Sequence, residues 1–171
     1  MANVTFITGG ARSGKSSYAQ ERALAQSISP VYVATAKVWD DSFQKRVDRH
    51  RNDRNDRWRT FEKMTHLSEL PLQKETIVID CVTLWLTNLF SQEQNNIEKC
   101  LQLLKQDMAQ LLKTDNHFFI VSNEIGMGLH AHTEAGLLFT DLQGWANQYI
   151  ASVAQEVVFM VSGIPLPIKR P

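Results

Sequence analysis

Residues Gly9-Gly10-Ala11-Arg12-Ser13-Gly14-Lys15-Ser16 satisfy the pattern G-x-x-x-x-G-K-[ST], directly after the β-branched and aromatic run Val4 to Thr8. A stretch with the helical positions Ala19, Ala23 and Leu24 follows. Strand, glycine-rich turn and helix in that order form a phosphate cradle. The glycines let the backbone wrap so that its N–H groups converge on phosphate oxygens, and the helix presents its positive end to the same anion. Lys15 then bridges the terminal phosphates of a nucleoside triphosphate. Ser16 offers its hydroxyl to Mg²⁺, an ion that keeps most of its water and needs few protein ligands.

Further short apolar runs at Val31 to Thr35, Thr76 to Cys81, Phe118 to Ser122 and Val157 to Ser162 read as strands. Two segments between them have helical spacing: Ile97, Leu101, Leu104, Met108 and Leu111, then Ala135, Leu138, Leu142, Trp145, Tyr149 and Val153. Alternation of near-continuous apolar strands with helices requires crossover connections and a sheet covered on both faces. The expected architecture is a three-layer α/β, P-loop NTPase-like domain with a mostly parallel central sheet. With 171 residues the chain is expected to form one domain over 1–171. Its Pro-rich end, Pro165-Leu-Pro-Ile-Lys-Arg-Pro171, reads as a frayed tail.

Eighteen Lys and Arg balance eighteen Asp and Glu, so no global positive field exists to coat a nucleic acid. An apolar content of 43% excludes disorder. Cys81 and Cys100 are too few and too far apart for a disulfide framework or zinc cluster, and read as reduced thiols. No apolar run reaches the roughly 18 residues of a membrane span and the start has no basic leader, so the expectation is a cytoplasmic protein.

Thr76-Ile-Val-Ile-Asp80 ends a second buried strand in a carboxylate. Asp80 is a candidate to hold Mg²⁺ or its water, or else a helix N-cap. Glu124 closes Phe118-Phe-Ile-Val-Ser-Asn123 and precedes Gly126-Met-Gly128. It is a candidate contact to metal-bound water or substrate, with a structural loop role as the alternative. Between Lys45 and Arg59 seven basic residues interleave with Asp48, Asp53 and Asp56. A solvated, ion-paired segment is the plain reading. Yet His50 lies among Arg46, Arg49, Arg51 and Arg54, which could hold a triphosphate and stabilise a departing pyrophosphate. Arginine crowding keeps the imidazole neutral, so it can attack phosphorus as a nucleophile. His66, His117, His130 and His132 carry no comparable context.

Several segments together resemble the bifunctional adenosylcobinamide kinase / adenosylcobinamide-phosphate guanylyltransferases of cobalamin nucleotide-loop assembly. They are Thr8 to Ser16, Val33-Ala-Thr35, Asp40-Asp41, Arg46-Val-x-x-His50-x-x-x-Arg54, Trp58-Arg-Thr-x-Glu62 and Asp80-Cys-Val-Thr-Leu-Trp-Leu-Thr-Asn88. Later come Asn123-Glu-Ile-Gly-Met-Gly128, Gly144-x-x-Asn-Gln148 and Ser162-Gly-Ile-Pro165. The resemblance implies two reactions: phosphorylation of adenosylcobinamide by a nucleoside triphosphate (ATP or GTP), and transfer of GMP from GTP to adenosylcobinamide phosphate through a guanylyl-histidine at His50. It also implies a guanine-nucleotide site made by Gly9, Gly10, Ala11, Arg12, Ser13, Gly14, Lys15, Ser16, Ala34, Thr35, Ala36, Arg51, Asn52, Asp53, Arg54, Glu62 and Asp80. Glu62 could accept hydrogen bonds from the N1 and N2 edge of guanine, which adenine cannot supply. A homotrimer is the implied assembly.

The chain departs from that pattern after Gly128, where Ala131 replaces a proline and Leu137 and Thr140 replace two arginines. Charge-assisted pairs are worth roughly 1.5–3 kcal/mol each, so the relative strengths of the two activities depend on what those arginines do. Two alternatives follow: a P-loop kinase of another small molecule, and a GTP-binding module without catalysis.

Overall fold

The computed structural model describes residues 1–36 and 56–170. Among these, β1 (Asn3–Gly9), α1 (Lys15–Gln26) and β2 (Val31–Ala34) come first. They are followed by β3 (Arg59–Glu62), a 3₁₀ turn at Leu67–Glu69, β4 (Thr76–Asp80), α2 (Val82–Gln92) and α3 (Ile97–Leu111). The remaining elements are β5 (His117–Asn123), α4 (Glu134–Val153), β6 (Glu156–Val161) and β7 (Ile164–Lys169). The strands form one sheet in the order β3-β2-β4-β5-β1-β6-β7. Every pairing is parallel except β6 with β7.

Alternation along the buried strands divides the core in two. Val4, Phe6, Val33, Ile77, Ile79, Phe118, Ile120 and Val157 share one cluster with Trp85 and Leu86 of α2, Leu104 and Met108 of α3, and Leu142 and Ile150 of α4. Ile7, Tyr32, Val78, Phe119, Val121 and Val158 pack with Ala19 and Ala23 of α1 in the other. The expected three layers and mostly parallel sheet are therefore present. Capping sets two helix starts. Asn96 accepts from the Lys99 N–H at 3.0 Å to begin α3, and Thr133 accepts from the Gly136 N–H at 3.1 Å to begin α4.

Three sequence expectations need correction. The Pro-rich end is not a frayed tail: β6 and β7 join through Ser162 and Gly163, both at positive φ (50° and 81°), as a two-residue hairpin turn needs. Pro165 and Pro167 fit because β7 is an edge strand, where missing N–H donors cost nothing. The stretch ending the charged segment contains a strand, β3, which pairs with β2 yet shows almost no burial and hence no apolar alternation. In α4 the buried face runs through Leu142, Gln143, Ala146, Asn147 and Ile150. Ala135 and Trp145, placed on the apolar face by spacing, are exposed. Two buried amides rotate that face away from the purely apolar stripe.

Candidate functional site at the C-terminal edge of the sheet

The loop between β1 and α1 is held from three sides. Gly9 has φ 153°, and a Cβ there would lie 2.5 Å from the Met160 carbonyl oxygen of β6, so the close approach of the strands requires glycine. Gly14 takes a left-handed conformation at the start of α1, with no side chain capping the helix. The first N–H groups of α1 are thus left for an anion, as a phosphate site requires. The Gly163 N–H at the β6–β7 turn donates to the Ser13 carbonyl at 3.0 Å and braces the loop from the far side.

Lys15 is buried, and its Nζ donates to the Gly10 carbonyl at 2.5 Å and toward Ser13 Oγ at 3.4 Å. The ammonium is folded back over the loop that precedes it, where a phosphate oxygen would share it. Burial lowers its pKa from the usual lysine value, and the nearby Cys81 and Asp80 act in the opposite sense. Gly10, Ala11 and Arg12 form the outer rim, Arg12 exposed and in a left-handed conformation at φ 56°. Ser16 is half-buried in the first turn of α1, and its hydroxyl makes no hydrogen bond to a described residue.

Register carries the remaining groups to the same edge. Glu62 pairs with Ala34, Ala34 with Asp80, Asp80 with Val121, and Gly9 with Asn123. Asp80 is not the cap of α2: that place is taken by Cys81, whose side chain makes no cap bond. Instead the Asp80 Oδ2 accepts from the Tyr32 hydroxyl at 2.8 Å. Its other oxygen has no hydrogen bond among the described residues. Half-buried Asp80 and the Ser16 hydroxyl are both hard oxygen donors, the type Mg²⁺ prefers. Cys81 is inert, its thiol pushed up to about 12 by burial.

Thr35 is fully buried with every polar group engaged. Its hydroxyl donates to the Cys81 carbonyl and accepts from the Cys81 N–H, both at 2.8 Å; its N–H donates to the Asp80 carbonyl; its carbonyl accepts from Asn88 at 2.8 Å. It locks the end of β2 to β4, leaving Ala34 and Ala36 half-buried beside it. Glu62 is exposed at the end of β3. His50, Arg51, Asn52, Asp53 and Arg54 lie outside the described residues, as do Asp40 and Asp41.

Several supporting residues had no role assigned from the sequence, some of them inside the quoted segments. Tyr32 and Asn88 are two. A third group sits beneath the end of β5: Ser122 donates to Asn147 Oδ1 at 2.7 Å, Gln143 donates to both, and Asn147 donates to the Asn123 carbonyl at 3.2 Å. Asn123 in turn donates to Thr83 through its main-chain and side-chain nitrogens. A polar Gln143–Asn147 pair at i, i+4 inside an apolar helix pattern was the available signal.

A phosphate-cradling loop on β1, an uncapped α1 and a carboxylate at the end of a parallel strand define a P-loop enzyme working on a nucleoside triphosphate. The chain belongs to the cobinamide kinase / cobinamide phosphate guanyltransferase family, whose profile matches residues 5–168. It is 33% identical over 179 aligned positions to the bifunctional adenosylcobalamin biosynthesis protein CobU of Escherichia coli (strain K12), covering 96% of this chain and 98% of that one. It is 34% identical to the bifunctional adenosylcobalamin biosynthesis protein CobP of Pseudomonas aeruginosa, covering 96% of each. The CobU protein of Salmonella typhimurium (strain LT2) is 32% identical, over 96% of this chain and 98% of that one.

Proposed function

We propose that one domain catalyses two successive steps: phosphorylation of the alcohol of adenosylcobinamide by ATP or GTP, then transfer of GMP from GTP to the new phosphate. The products are adenosylcobinamide-GDP and pyrophosphate. Family membership supports the pair of reactions, and the observation that carries the nucleotide chemistry is the buried Lys15 ammonium inside a loop leading into an uncapped helix.

In this reading Gly9 to Ser16 surround the phosphates with N–H groups, and Lys15 holds the charge that builds on the transferring group. Ser16 and Asp80 would hold Mg²⁺, directly or through water, with Tyr32 fixing the carboxylate. The ion, when bound, neutralises phosphate charge. Thr35 and Asn88 position Ala34 and Ala36 as the wall of the nucleotide site, and Glu62 accepts from the guanine edge. For the second step His50 is the nucleophile: its nitrogen bonds to the α-phosphorus of GTP, the bond to pyrophosphate breaks, and the phosphate of the acceptor later displaces histidine. Arg51, Asn52, Asp53 and Arg54 complete the GTP contacts.

The assembly in this reading is a homotrimer in the cytoplasm. Its support is β7, whose alternating Ile164, Leu166 and Ile168 are 68%, 53% and 61% exposed on a sheet edge that pairs with no further strand among the described residues. The test of the two reactions is direct: incubation with adenosylcobinamide, ATP, GTP and Mg²⁺, followed by mass spectrometry. Adenosylcobinamide phosphate followed by adenosylcobinamide-GDP is expected; consumption of GTP without either corrinoid product would overturn the assignment.

A further inference from the structure

We propose that Glu124 is the general base of the phosphorylation step, taking the proton from the acceptor alcohol as it attacks the γ-phosphorus. This deepens the assignment above and rests on it. Sheet order is the first ground. Strand β5 lies between β1, which leads into the phosphate loop, and β4, which ends in Asp80. Whatever follows β5 therefore stands between the cradle and that carboxylate. The Glu124 N–H donates to the Gly9 carbonyl at 2.9 Å, fixing its backbone against the first residue of the loop.

The second ground is the division of labour between two carboxylates. Asp80 is engaged by the Tyr32 hydroxyl and feels the Lys15 charge. The side chain of half-buried Glu124 makes no hydrogen bond or ion pair to any described residue. One of its oxygens, Oε1, lies 3.5 Å from where a Gly126 Cβ would be, so the side chain folds over a position that lacks its own. The third ground is rigidity. Asn123, the residue before it, is tied to Thr83 by two hydrogen bonds and to Asn147 by one, and Asn147 belongs to the buried Ser122–Gln143 network. An uncommitted carboxylate on a clamped backbone beside a phosphate loop is suited to proton transfer, which needs a fixed acceptor within hydrogen-bond reach.

In the step, the alcohol oxygen bonds to γ-phosphorus while its proton passes to a Glu124 oxygen. The bond from γ-phosphorus to the bridging oxygen breaks, and its electron pair leaves on the nucleoside diphosphate. The protonated Glu124 then releases its proton to water.

The test compares wild type with Glu124→Gln in two assays: phosphorylation of adenosylcobinamide by ATP, and labelling of the protein by GTP carrying a labelled α-phosphate. The substitution is isosteric and removes no described contact. A fall of about 10²–10⁴-fold in kcat for phosphorylation is expected, with KM for ATP within about threefold and protein labelling retained. Phosphorylation within about threefold of wild type would overturn the proposal, as would parallel loss of labelling and ATP affinity, which would assign Glu124 to nucleotide binding. A wild-type protein that does not phosphorylate adenosylcobinamide would instead overturn the assignment on which the proposal rests.

Discussion

Gly9 ties stability to the site, and His117 ties it to pH. At Gly9 an added methyl would meet the Met160 carbonyl oxygen and also Ser13 Oγ, at 2.5 and 2.9 Å. Gly9→Ala is therefore expected to lose roughly 1–3 kcal/mol and to weaken GTP binding together with the thermal midpoint. Calorimetry and a GTP titration check both; an unchanged protein would show that the two strands separate freely. His117 stacks on Phe119 at 4.7 Å, its buried Nε2 without a hydrogen-bond partner among the described residues, and burial, aided by Arg22, lowers its pKa from 6.5. The unfolded chain then binds the proton more readily than the fold does, so stability falls as pH drops through 6.5. Denaturant midpoints at pH 8 and pH 5.5 should show that loss in wild type and a flatter profile in His117→Phe. Equal slopes would contradict the assignment to His117.

At the scale of elements, α1 is fastened to β6 by Arg22, which donates to both Glu156 oxygens at 3.1 and 2.8 Å. The Thr5 hydroxyl adds a third bond from β1. The hydrogen bond from Arg22 holds Glu156 below its ordinary carboxylate value. Its contribution is therefore present above that ordinary value and is lost as pH falls through the lowered one, a second acid step below that of His117. Glu156→Gln is expected to cost about 1.5–3 kcal/mol near neutral pH and to remove that lower step, read by urea melts across pH 2–7. A change under 0.5 kcal/mol, the size of an ordinary surface substitution, would show that the link is ornamental. Strand β1 and helix α1 were legible because an apolar run and the glycine motif meet there, and α3 because its apolar spacing is regular. Strand β3 was not: its Arg-Thr-Phe-Glu sequence has one half-buried side chain, so pairing rather than burial defines it. Strand β7 was hidden by prolines that only an edge position tolerates. In α4 the helical period was readable, but its phase was set by buried Gln143 and Asn147, which pattern reading counts as polar.

For the molecule as a whole, the hairpin that exposes β7 also braces the phosphate loop through Gly163 and Ser13. Burial of Ile164, Leu166 and Ile168 between copies would stiffen that brace. Sedimentation of wild type is expected to give a trimer, and Leu166→Lys with Ile168→Lys a monomer with weaker GTP binding; a wild-type monomer would remove β7 as an interface. The phosphate loop was legible before the fold, since it is a local motif. The placement of Glu124 between Gly9 and Asp80 was not, because it depends on β5 inserting between β1 and β4, a long-range pairing that no local pattern encodes. Covalent guanylyl transfer is tested most directly by incubation with Mg²⁺ and GTP labelled at the α-phosphate, wild type against His50→Ala. An acid-labile, alkali-stable label is expected on wild type and none on the variant. Absence of label from both, with GTP still bound, would contradict it.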